Sequence, residues 1–206
     1  MKPYQLYPTS AFICGIIYLL GFSAVLLLFT HLGSSVEHTI ATINSYPLLI
    51  RCWYIGLYLL FPLSLLLLSF NLTAPRNSVA SPFTQLINAL AILWAGLMTA
   101  SGCMALTAID MATTHGDVAA ISLLFSLQNS VGGAVEMQGG LWTLLATYQL
   151  HKKQSLHWFV RLTGYTAGLA GIATLLPGSD IFQALFGITQ LCWFFAVGFA
   201  ALKASP

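Results

Sequence analysis

Val118–Tyr148 reads VAAISLLFSLQNSVGGAVEMQGGLWTLLATY: 31 residues with one charged side chain, Glu136, and no base. An apolar run this long exceeds the ~20 residues a helix needs to cross ~30 Å of hydrocarbon. Its apolar residues are continuous and do not alternate, which favours a helix over a barrel strand. The rest of the chain has the same character. Of 206 residues, 58% are hydrophobic and 6% charged, where soluble domains carry roughly a quarter charged residues. The mean hydropathy is +0.84. Twelve charges cannot give a fold of this size a hydrated exterior. A soluble enzyme, a disordered chain and a nucleic-acid binder are therefore excluded, and the chain reads as an integral membrane protein.

Outward from that stretch, six apolar runs are expected to span a bilayer: Ala11–Thr30, Leu48–Phe70, Phe83–Ile109, Val118–Tyr148, Trp158–Leu176 and Ile181–Ala201. Pro75 and Pro82 bound one gap, and Pro177-Gly178 marks another. Short connections make consecutive helices antiparallel, so residues 1–206 are expected to form one six-helix, all-α transmembrane domain. With both termini inside, Lys2, Arg76, Lys152, Lys153, Arg161 and Lys203 fall on one side and Arg51 alone on the other. The positive-inside rule makes the first side cytoplasmic, giving N-in/C-in topology. Compactness and the lack of long loops favour a bacterial inner membrane. The first span, too long for a signal-peptide core and without an A-x-A site, reads as a retained anchor.

In the first loop, Ser34 and Glu37 have capping-box spacing, and Val36, Ile40 and Ile43 share a face. A short helix on the outer surface is expected there. In the third span, small residues such as Ala95, Ser101 and Gly102 mark close packing, as do Gly164, Gly168 and Gly171 in the fifth. Cys52 and Cys103 both map to the outer half. A bond between them is an alternative to the simpler reading of the four cysteines as small residues inside the bundle.

Stepping by four and three from Ser122 gives Ser126, Asn129, Gly133, Glu136, Gly140, Thr143 and Thr147, all small or polar. These predict a polar seam along the fourth span. Glu136 falls near the middle of that span, where an uncompensated charge costs at least ~2.5–3.5 kcal/mol. A protonated carboxyl bonded to a neighbour is the simplest state, and Gln190, at similar depth in the sixth span, is the expected partner. Gln183 lies on the same face seven residues earlier. Gly132-Gly133 and Gly139-Gly140 are places where the helix is expected to break along a cavity.

At the head of the second span, Arg51 either snorkels to the outer surface or faces inward toward a ligand or Asp110, with Tyr54 and Tyr58 following on its face. Arg161, Lys152 and Lys153 should meet anionic headgroups. A weaker alternative is a zinc or copper site from His31, His38, His115 and Asp117. The same residues serve equally well as ordinary loop and helix-end groups. No histidine stands mid-span to ligate haem, and no cofactor or catalytic residue is assigned.

Several segments resemble one family. Leu48-Leu49-Ile50-Arg51 heads span two after an outer loop helix. Tyr148-Gln149-Leu150-His151-Lys152-Lys153 precedes Trp158 and a Gly-rich fifth span. With six spans in about 200 residues, this is similar to the bacterial membrane proteins grouped as domain of unknown function 4386. The Ile-Pro-Arg-Trp that usually opens their fifth span is here Leu156-His157-Trp158. The resemblance implies a six-helix fold and no activity.

The residues thus point to a membrane protein that binds or transports a small molecule along a polar seam, linked to protons through Glu136. Asn129, Gln183, Gln190, Arg51 and Tyr58 are its further site candidates, and the lipid bilayer is its constant partner. The alternatives are a structural or regulatory subunit, as a homodimer or on a partner membrane protein, and an outer-face metal enzyme.

Overall fold

Each of the apolar runs forms a helix in the computed structural model, which describes residues 3–27, 35–74, 80–153 and 156–204. The helices are α1 (Pro3–Leu27), α2 (Val36–Ser45), α3 (Pro47–Ile55), α4 (Phe61–Thr73), α5 (Pro82–Thr113), α6 (Val118–Lys153), α7 (Trp158–Ala173) and α8 (Asp180–Ala204). A π-turn, Gly56–Leu60, joins α3 to α4. No strand occurs among the described residues. Four helical stretches are long and apolar enough to cross a membrane: Pro47–Thr73, Pro82–Thr113, Val118–Lys152 and Asp180–Lys203. The apolar stretch Pro8–Ala24 in α1 is shorter, and α7 has only 16 residues.

The surface helix starts one residue later than the Ser34–Glu37 pattern predicts. Ser35 is the N-cap, in extended conformation, and its hydroxyl accepts from the His38 N–H at 3.2 Å. Ser34 lies outside the described residues. The carboxyl of Glu37, in the first turn, is held below its ordinary value. Its own backbone N–H is the main cause and the Ser35 hydroxyl the second.

The π-turn has a local cause. Pro62 has no N–H to give the carbonyl of Tyr58, and its ring crowds that carbonyl. The helix widens there, and the Phe61 N–H bonds Gly56 O, five residues back. Such bulges recur at functional sites.

Two apolar clusters organise the bundle. The larger fills the space between α1, α4, α7, α8 and the adjoining halves of α5 and α6. At its centre Trp94 and Trp142 meet at a tilt and Trp142 and Trp193 edge to face, with centroids 5.8 and 5.5 Å apart. The Trp142 indole N–H donates to Ser69 Oγ at 3.0 Å, and Ser69 donates to Asn88 Oδ1 at 2.9 Å. The smaller cluster joins α2 and α3 to Ile109 on α5 and Ile121 on α6. Tyr58, on the π-turn, touches both.

The small residues act as packing surfaces, as expected. A Cβ on Gly171 would stand 2.7 Å from Gly140 Cα and from Glu136 O, so α6 and α7 meet backbone to backbone. A Cβ on Gly102 would lie 2.3 Å from the Tyr58 Cβ. Against expectation, α6 is unbroken from Val118 to Lys153 despite its glycine pairs. Gly139 fits against Trp94 and Phe186, and Gly140 against α7. They are there for close approach, so no break is needed.

α6 and α8 run parallel. Thr143 on α6 donates to Gln190 on α8 at 2.7 Å, across 47 residues of sequence. At that offset α8 begins level with residue 133, and the first 15 or so residues of α6, about 22 Å, project beyond it. α7 ends at the same level.

Candidate functional site

Where the two clusters meet, a cavity of about 520 Å³ opens between α1, α3, the π-turn, α5, α6 and α8. It is lined by Tyr18, Gly21, Phe22, Trp53, Leu57, Tyr58, Met98, Gln128, Asn129, Gly132, Glu136 and Gln183. Small-molecule pockets commonly fall within about 300–1,000 Å³, apolar with a few placed polar groups. This one has that make-up.

The sequence explains why these side chains converge. On α6, Gln128, Gly132 and Glu136 are four apart and Asn129 precedes Gly132 by three, so all four share a face. On the opposite wall, the π-turn rotates Tyr58 toward α5, where Gly102 leaves room for its Cβ. Tyr58 Oη accepts from Gln128 Nε2 at 3.2 Å, and the same amide donates to Ser101 Oγ at 3.2 Å. Trp53 is held across the gap from α3 to α1, its indole N–H donating to Gly21 O at 3.3 Å. Tyr18 and Phe22, one turn apart on α1, meet edge to face at 5.6 Å.

Glu136 is the one carboxyl among these residues, and among the described residues no Lys, Arg or His lines the cavity with it. Gln183 lines the cavity beside it from α8. Its Oε2 is buried with no hydrogen-bond partner.

Four of the six candidates read from the sequence therefore meet in one cavity: Glu136, Asn129, Gln183 and Tyr58. Gln190 does not. It is fully buried seven residues deeper and engaged by Thr143. The expectation of a Glu136–Gln190 pair placed the middles of the two spans at similar depth. The real register is offset by a heptad, which gives Glu136 to Gln183. Arg51 is also elsewhere. It forms an ion pair with Asp110, with side chains 38% and 60% exposed, so it spends its charge in a solvated surface bridge.

The polar seam of α6 splits into parts with different work. Asn129 and Glu136 line the cavity. Gly140 packs on α7, Thr143 bonds α8, and Thr147 abuts Gly164. Ser126 is exposed and donates to Ser122 O at 2.9 Å. Gly133 falls among residues whose side-chain surroundings are not described. The seam is thus not a continuous path.

Gln128, Trp53, Tyr18 and Met98 are site residues that the sequence reading missed. The i, i+4 spacing of Gln128 to Gly132 and Glu136 was the available signal. The alternating four-three step passed over it.

Among the described residues no three His, Cys, Asp or Glu gather as a metal site. His38 lies on α2, His115 takes a positive φ in the α5–α6 turn, and Asp117 accepts from the Ala119 N–H at 3.1 Å at the start of α6. His31 lies outside the described residues. Cys14, Cys52, Cys103 and Cys192 are free thiols, with Cys52 and Cys103 exposed. At the other end of the bundle, Arg161 approaches His151 at 3.3 Å and Lys152 stands 4.8 Å over the Tyr148 ring.

No protein-family model, no curated protein and no solved structure matches the chain.

Proposed function

We propose that the chain is a six-crossing protein of a bacterial inner membrane, termini inside, that binds a small molecule in this cavity for passage or sensing. Glu136 is its proton-sensitive group. The observation that carries the reading is the convergence of Glu136, Gln183, Asn129 and Tyr58 on one cavity of about 520 Å³. The likeness to the domain-of-unknown-function 4386 proteins belongs to the same proposal and adds only the six-helix expectation.

Placing the bilayer follows from the charges. Lys152, Arg161 and Lys203 close one end of α6, α7 and α8. Measured from there, ~30 Å of hydrocarbon takes about 20 residues. Counting from Lys203 reaches Gln183, and counting from Lys152 reaches Gly132. Arg51, Asp110 and Asp117 then lie beyond the hydrocarbon, where their charges are hydrated. The cavity sits at the outer boundary of the membrane, not at its midplane, and α2, α3 and the first turns of α6 form an outer cap.

Thermal unfolding of the purified protein against a panel of cationic, neutral and anionic aromatic compounds tests the function. At least one class should raise the Tm of the wild type, and Glu136→Gln should change that shift or its pH dependence. Equal, pH-independent shifts in both proteins remove Glu136 from the mechanism.

One observation favours a second reading, a subunit that docks a partner membrane protein. Beyond the end of α7, the projecting part of α6 leaves Leu123 and Leu127 exposed, at 60% and 45%. Co-purification of a stoichiometric partner from native membranes supports that reading, and a lone monomer counts against it.

A further inference from the structure

Resting on the ligand-cavity reading, the geometry points to the charge class of the ligand: we infer that the cavity takes a monovalent organic cation with an apolar body, in exchange for a proton on Glu136.

The side chains that face Glu136 come from every element packed around it. Tyr18 faces it from α1, Tyr58 from the π-turn and Gln183 from α8, and none of these brings a positive charge. The nearest base in sequence on the outer half, Arg51, is already paired with Asp110. Glu136 Oε2 therefore has no hydrogen-bond partner among the described residues, and the neighbouring Gln183 is neutral. An ionised carboxyl in that position needs a cation from outside the chain, or else a proton.

The remaining walls say what kind of cation. A small divalent metal ion takes several oxygen ligands, and here there is a single carboxyl. The rings of Tyr18, Phe22, Trp53 and Tyr58 share the cavity instead. Ring faces attract cations, most strongly when the ion is desolvated, and they tolerate a bulky quaternary group that a hydrogen-bonding site does not. Trp53 is fixed by its bond to Gly21 O, so its ring is pre-set and little ordering is lost on binding. An anion would face an unneutralised carboxylate with no base beside it.

The step balances simply. In the empty site Glu136 is protonated. On binding, the O–H proton leaves to the outer water and the cation takes its place against the carboxylate. Proton and ligand exclude one another, so each weakens the other's binding by the same factor.

The test uses the whole protein in nanodiscs of a zwitterionic lipid and two probes of one shape. Phenyltrimethylammonium carries a permanent charge, and tert-butylbenzene carries none. By calorimetric titration the cation should bind at least about tenfold more tightly. Its affinity should fall by about tenfold per pH unit on the acid side, where one proton must be displaced per cation. Trp53→Leu should weaken the cation more than the hydrocarbon. Glu136→Gln should remove the pH dependence. If that variant does not fold, the pH series on the wild type carries the test. Equal, pH-independent binding of the two probes overturns the cation assignment while leaving a ligand cavity. If the cation does not bind, the assignment also falls. Failure of the hydrocarbon and of the wider compound panel as well would take the cavity reading with it.

Discussion

Glu136 stands out in the sequence as the one charged side chain in the 31 residues Val118–Tyr148, a group that needs a proton or a partner in an apolar setting. Its surroundings were less legible. A seven-residue shift along α8 exchanges Gln190 for Gln183, and nothing in either helix's own pattern sets that register. Gln128 was missed because it lies about 80° round an ideal helix from Glu136, at the edge of the face and beside the stripe. For Arg51, of the alternatives open from sequence, it is Asp110, 59 residues away, that takes its charge. Glu37 carries a prediction at this scale. Its folded carboxyl lies below the ordinary 4.5, so its contribution to α2 is fully present above that value and is lost as pH falls through the lowered one. Protection of the α2 amides, corrected for the intrinsic pH dependence of exchange, should therefore fall at acid pH, and Ser35→Ala should raise the pH at which this begins. An acid response identical in Ser35→Ala would place the cause elsewhere.

At the scale of elements, helices were easy to find and their partners were not. Apolar length and proline positions located the long helices, most of which extend a few residues past their apolar runs, while α7 ends three residues short of its run. The π-turn had a sequence cause in Pro62, yet its effect, turning Tyr58 toward Gln128, depends on Gly102 in another helix. The glycines of α7 were readable as contact surfaces because small residues are what bring lipid-embedded helices together. A Cβ on Gly171 would meet Gly140 Cα at 2.7 Å, and backbone cannot move aside cheaply. Gly171→Ala should cost about 1–3 kcal/mol, the range for overpacked cores. Unfolding in detergent should show a clear fall in Tm. The same substitution at Gly96, where a Cβ meets nothing within 4 Å, should leave it nearly unchanged. Equal effects at the two glycines would contradict backbone contact between α6 and α7.

For the molecule as a whole, the proposed membrane placement rests on counting helical rise from the basic end, which brings the hydrocarbon's far edge to the cavity and leaves Arg51, Asp110 and Asp117 beyond it. Glu136 lies near the middle of its apolar run, but α6, with 36 residues and about 54 Å as a straight helix, is longer than a bilayer is thick, so the middle of the run need not be the middle of the membrane. Topology is testable in a background with the native cysteines replaced. An impermeant maleimide applied to intact cells should modify a cysteine at Thr114, in the α5–α6 turn, and spare one at His157, before α7. The reverse pattern would invert the molecule in its membrane.

The central claim, that the cavity is a ligand site, has its sharpest test at Gly132. This residue lines the cavity, and a Cβ there would meet nothing within 4 Å. Gly132→Trp should fill the space without disturbing a neighbour. The measurement is the thermal shift produced by whichever compound stabilises the wild type, repeated on this variant. The account predicts an unchanged Tm without ligand and no shift with it. An undiminished shift in Gly132→Trp would mean that the ligand binds elsewhere.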